Sequence, residues 1–145
     1  MELYDKYIHE LILLNPTMND FIKDDQYNHL RSHMSNYLSK DYKNKEIKLN
    51  KKYLNLVEKK NNLNLYERLM KRDLKDYFKT LYFKDEYFPL SHLNNIFIDF
   101  ITVINSKDNG YEFTDIRSYK DFISRMKKCK SICNDMVSNM KKGIK

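Results

Sequence analysis

Glycine and proline are scarce in this chain of 145 residues, with two of each. Sheet sandwiches and doubly wound α/β folds turn often and use many such residues, so their scarcity points to long helices with few breaks. Cysteine is equally scarce. Cys129 and Cys133 lie four apart in one helical pattern, a spacing poorly aimed for a disulfide, so a reducing, intracellular compartment is expected. No apolar run approaches the roughly 18–20 residues that span a membrane, so no membrane partner is expected. The opening stretch MELYDKYIHELILLNP has acidic residues and a helical period, which a signal peptide lacks. Neither Gly110 nor Gly143 sits in a phosphate-binding loop pattern, and no G-x-S-x-G nucleophile motif occurs.

What the chain has instead is lysine, asparagine, isoleucine and tyrosine in excess, and a net charge of +7. An AT-rich coding sequence, such as that of a giant virus or a similarly biased microbe, produces this alphabet. The charge also admits a polyanionic partner. Two basic stretches carry it: Lys40 to Lys60 with Tyr42 and Tyr53 interleaved, and Lys127, Lys128, Lys130, Lys141 and Lys142 near the end. Lysines mixed with aromatics suit nucleic acid. The competing reading is a solvated lysine-rich face, because arginine is scarce there and acids are interspersed.

Apolar periodicity predicts an all-α fold of about five helices in an irregular antiparallel bundle, as one domain over 1–145. The stripe Leu3, Tyr7, Leu11, Leu14 predicts a first helix that stops at Asn15-Pro16. Residues 15–44 read as a long irregular connection with short helical turns. A lysine-rich helix is predicted from about 45 to 60, and an amphipathic one follows with Tyr66, Leu69, Met70, Leu74, Tyr77, Phe78 and Leu81. Pro89 breaks it, and a buried helix is predicted after Ser91. The last helix starts at Asp115, a good N-cap, and runs to the end of the sequence. Ile116, Tyr119, Phe122, Ile123, Met126, Cys129, Ile132, Met136 and Met140 mark its apolar side, and Lys141 and Lys142 suit the negative end of the helix dipole.

Chemistry-bearing motifs are thin. His9-Glu10 begins a His-Glu-x-x-His zinc motif, but Leu13 stands where the second imidazole is needed, which leaves His9 as a solvated helix edge. His29 and His33 have i, i+4 spacing without the glutamate and read as a surface pair. Cys129 and Cys133 lack a CxxC pattern and read as core or boundary residues. Asp24-Asp25 and Asp85-Glu86 read as solvated turns. No catalytic, metal or cofactor-binding residue is therefore assigned.

The stretch YERLMKRDLKDYFKTLYFKDEYFPLSHLNN resembles the N-terminal half of the bacterial family of unknown function numbered 885, with Phe88, Pro89, Leu90 and Leu93 at its aromatic-Pro-Leu segment. Phe113, Asp115, Tyr119, Phe122, Ile123, Arg125 and Met126 follow the order of its F-x-T-x-x-D-Y-x-x-Y-L-x-R-L stretch, and MKKGIK matches the first half of its helix ending. Asp115 replaces the usual threonine and Ser118 the usual aspartate. The resemblance covers about 66–145 and concerns structural positions. It implies a helical part of a zinc-peptidase-like protein whose zinc ligands have no counterpart here, and hence a structural or partner-binding role without peptidase activity. The implied partners are a separately encoded catalytic half or a second copy, met through the last helix, with Met136 and Met140 as an apolar face. The alternative is a basic nucleic-acid or polyanion-binding module.

Overall fold

The computed structural model describes residues 2–81 and 111–143. The predicted helix after Ser91, the Asp85-Glu86 pair, and Phe88, Pro89, Leu90 and Leu93 lie outside the described residues. Among the described residues every regular element is helical, so the protein is all-α. In chain order these are α1 (Leu3–Leu14), a 3-10 turn (Pro16–Met18), α2 (Asn19–Ile22), a second 3-10 stretch (Asp25–Leu30), α3 (Lys40–Lys59), α4 (65–81) and α5 (Ile116–Gly143).

The N-terminal half is built from α1, α3 and α4. Ser39 Oγ accepts the Tyr42 backbone N–H at 3.1 Å, which starts α3 five residues before the predicted onset near 45. The early start puts Tyr42 in the interior. Tyr53 and Val57 of α3 meet Met70 and Leu74 of α4, with Leu3, Tyr4 and Tyr7 of α1 closing over them. The Tyr77 hydroxyl near the end of the described part of α4 donates to Glu46 near the start of α3, so the two helices run antiparallel.

A carboxylate locks the entry to α4. Glu67 accepts the Asn64 backbone N–H at 3.2 Å, while Asn64 Oδ1 accepts the Glu67 N–H at 2.9 Å, a reciprocal capping box. Glu67 is fully buried, and Lys60 Nζ donates to it at 2.5 Å. The Lys60 hydrogen bond, then the N–H groups of Asn64 and Leu3, hold its carboxyl below the usual glutamate range against the opposing effect of burial. The Asn64 amide also donates to Glu2, so the N-termini of α1 and α4 are fastened together.

Helix α5 has 28 residues, about 42 Å at roughly 1.5 Å per residue. Asp115 caps it by accepting the Ser118 N–H at 2.7 Å, and Ser118 Oγ accepts the Thr114 and Asp115 N–H groups in return. The C-terminal part packs Ile132 and Met136 on Leu38, flanked by Met34, Tyr37 and Met140. The Met136/Met140 face is therefore covered by the 34–38 segment, which corrects its reading as free apolar surface. The helix start corrects a second expectation. Ser118 and Arg125 are the buried residues there, whereas Ile116 is 75% exposed and Tyr119 and Ile123 also face out. Steps of three and four drift around a 3.6-residue helix, and the apolar stripe crosses from the outer face at Ile116 to the inner face at Ile132.

Leu74→Ala should cost about 2–5 kcal/mol by transfer and cavity formation, while Ile123→Ala on the outer face should change stability by less than about 0.5 kcal/mol. Urea denaturation midpoints measure both. Glu67→Gln should lose about 1–3 kcal/mol at neutral pH. The depressed carboxyl pKa stabilises the fold above the unfolded-state value, and this fades as pH falls through the folded value. The gap between parent and variant should therefore narrow below about pH 4 in melts run across pH.

Candidate functional site

The most constructed polar site of the described residues surrounds Arg125. Its local frame is a turn that the sequence makes without glycine. After α2, Lys23 adopts a left-handed backbone with φ of 57°, a conformation that costs a lysine about 1 kcal/mol or more. Asn19 supports it: its side chain donates to the Asp24 carbonyl at 3.0 Å and accepts the Asp24 N–H at 3.1 Å. The turn reverses the chain after Asp20, whose carboxylate meets the third turn of α5.

There Arg125 Nη1 and Nη2 donate to the two oxygens of Asp20 at 2.5 and 3.0 Å, a bidentate pair with side chains only 7% and 12% exposed. Arg125 Nε donates to the Arg31 carbonyl at 2.5 Å. The guanidinium groups of Arg125 and Arg31 lie 4.6 and 5.0 Å from the centre of the Tyr111 ring. The Tyr111 hydroxyl donates to the Ser118 carbonyl at 2.7 Å. Burial pushes its pKa up, and the two guanidinium groups oppose that shift. Phe113 and Phe122 pack on the same ring at centroid distances of 5.2 and 5.3 Å.

A polar cleft of about 150 Å³ opens beside the pair, lined by Asp20, Lys23, Asp25, Arg31 and Glu112 among others. Several of its charged groups have partners in the lining. Lys23 Nζ bonds Glu112 at 2.5 Å and holds that carboxyl below its ordinary range, and Arg31 donates to the Glu112 carbonyl. Asp25 accepts the Asn28 amide at 2.9 Å. The nearby hydroxyl of Ser118 serves the helix cap and donates to the Asp115 carbonyl at 2.6 Å.

Among the residues singled out from the sequence, Arg125 is buried in this site, and Phe122 contributes to its aromatic wall. Asp115 caps α5 from the surface, and hydrogen bonds from Ser118 lower its carboxyl pKa. Tyr119 lies outside, with its ring 4.6 Å from that of Phe113. The expectation for His9 is corrected. It is half-buried, with Nδ1 2.7 Å from the Tyr27 hydroxyl, because that buried phenol needs a partner. His29 and His33 do not share an α-helix: His29 lies in the 3-10 stretch and contacts the Gln26 carbonyl, while His33 follows it beside Ser32. Asp24 caps that stretch by accepting the Gln26 N–H. Cys129 is half-buried and Cys133 exposed, both free, and burial raises the Cys129 thiol pKa. No group of three or more His, Cys, Asp or Glu among the described residues could hold a metal. No helix among the described residues is long and apolar enough to cross a membrane.

Asp20, Arg31 and Tyr111 were not legible as site residues. Asp20 is 105 positions from Arg125, and no spacing rule connects them. No family model, curated protein or solved structure matches this chain.

Arg125→Ala should destabilise the fold by about 3–5 kcal/mol, because it leaves the Asp20 carboxylate buried without a partner. The double variant Asp20→Leu with Arg125→Met removes both charges and should recover most of that loss in the same denaturation assay.

Proposed function

We propose that this protein is a non-catalytic helical module that acts by contact with a partner. In this reading the resemblance over 66–145 describes a helical part of a zinc-peptidase-like protein that covers or shapes a catalytic half encoded elsewhere, or that pairs with a second copy. The observation that carries the reading is the closure of the Arg125 site. Its arginine is held by Asp20 and the Arg31 carbonyl, and in the adjoining cleft Lys23 pairs with Glu112, Asp25 accepts the Asn28 amide and Arg31 donates to the Glu112 carbonyl. Such an arrangement positions helices; a general base or nucleophile would need an unengaged group aimed at a substrate. Partner contact through α5 then falls to its outer face, where Ile116, Tyr119 and Ile123 are exposed, since Met136 and Met140 are packed on the 34–38 segment.

The purified chain, equilibrated with zinc and freed of excess, should retain far less than one zinc per molecule by elemental analysis and leave a quenched-fluorescence peptide library uncut. Stoichiometric zinc together with peptidase turnover would overturn the proposal.

A further inference from the structure

We infer that the outer ridge of α3 is a docking surface for the phosphate backbone of duplex nucleic acid. This goes beyond the contact-module reading, whose protein partner meets α5, and concerns a second surface. Lys40, Asn44, Lys48, Lys51, Asn55 and Lys59 follow one another at steps of four, four, three, four and four. At 3.6 residues per turn this confines them to a sector about 100° wide. All six are exposed, along a ridge about 28 Å long at roughly 1.5 Å per residue. None of its four lysines forms an ion pair with a described residue. The carboxylates at the edges of the sector are already engaged from outside it: Asp41 by Lys45 at 2.6 Å, and Glu58 by Lys75 of α4 at 3.4 Å. The ridge therefore presents positive charge interrupted only by neutral amides, which also bond phosphate oxygens.

Its chemistry selects among polyanions. Tyr42 and Tyr53, the aromatics interleaved with these lysines, are buried on the opposite side of α3, so no ring is offered for stacking an unpaired base. No arginine stands on the ridge to grip a base edge with two hydrogen bonds. The apolar face of α3 is committed to the core through Tyr53 and Val57, so the helix cannot sink into a lipid interface. Lysine point charges in a row suit the dense phosphate array of a duplex, about one charge per 1.7 Å of axis, read without regard to sequence.

The test is fluorescence anisotropy of the full chain with two labelled short duplexes of unrelated sequence. If each ridge lysine neutralises one phosphate, the plot of log affinity against log salt should have a slope of about −4. Affinity should then fall about a hundredfold between roughly 50 and 200 mM salt, equally for both duplexes. Lys40→Gln, Lys48→Gln, Lys51→Gln and Lys59→Gln combined should flatten that slope by about 3–4, with helicity by circular dichroism retained. The same change at Lys120, Lys127, Lys130 and Lys141 of α5 should leave it steep. Absence of binding at the low-salt end, a ridge variant that binds like the parent, or tighter binding of polyglutamate or anionic vesicles than of duplex overturns the inference. A protein that fails these tests while remaining without zinc and peptidase activity still fits the contact-module reading, whereas peptidase turnover removes that reading whatever the duplex result.

Discussion

The placement of the last helix depends on the pairing of Arg125 with Asp20. The first turns of α5 bury Ser118 and Arg125 while Ile116, Tyr119 and Ile123 face outward, so hydrophobic burial is not what holds that end. The guanidinium supplies a directional alternative. Its planar fork fixes distance and orientation against Asp20 at once, and its Nε–H reaches back to the Arg31 carbonyl. A buried ion pair of this kind adds little net stability once desolvation is counted, yet it penalises every arrangement that leaves either charge alone. Its effect here is on position: α5 can slide or rotate on the N-terminal half only by breaking a paired charge.

The rest of the fold is arranged so that this constraint can act. The three-helix unit of α1, α3 and α4 has its own apolar centre at Tyr53, Val57, Met70 and Leu74, and Asn64, capped by Glu67, ties the N-termini of α1 and α4 together through Glu2. A second apolar centre joins Leu38 to Ile132 and Met136. The polar brace at Arg125, with Arg31 over the Tyr111 ring, secures the N-terminal part of α5, and the second centre secures its C-terminal part. Two attachments along a helix of 28 residues fix both its direction and its rotation.

The helices themselves were legible in the sequence because they are local. Asp115 announced the α5 cap, Asn15-Pro16 the end of α1, and scarce glycine and proline the all-α class. The α3 start was missed because Ser39, a sufficient cap, lies within a stretch whose periodicity is weak. The wrong face was assigned to the start of α5 for a different reason. Apolar spacing assumes that the buried face is the apolar one, and here a buried arginine reverses that rule. His9 was missed on similar grounds: its partner, the Tyr27 hydroxyl, is 18 residues away and belongs to a 3-10 stretch with no pattern of its own. Ion pairs across the fold leave no periodic trace in a chain, so the polar site was beyond spacing arguments.

The lysine excess also takes its meaning from the fold. Composition alone leaves open whether lysines are scattered for solubility or arranged for a partner. Folding separates the two cases. Lys45 is engaged by Asp41 within α3, and Lys52, Lys60 and Lys75 are engaged by Glu10, Glu67 and Glu58 across neighbouring elements. Lys40, Lys48, Lys51 and Lys59 stand in one sector of α3. Tyr42 and Tyr53, which the linear sequence interleaves with them, turn inward to the core. A single helix thus carries two unrelated instructions. Its tyrosines and Val57 specify where it packs, and its outer lysines are left with a charge that packing does not consume.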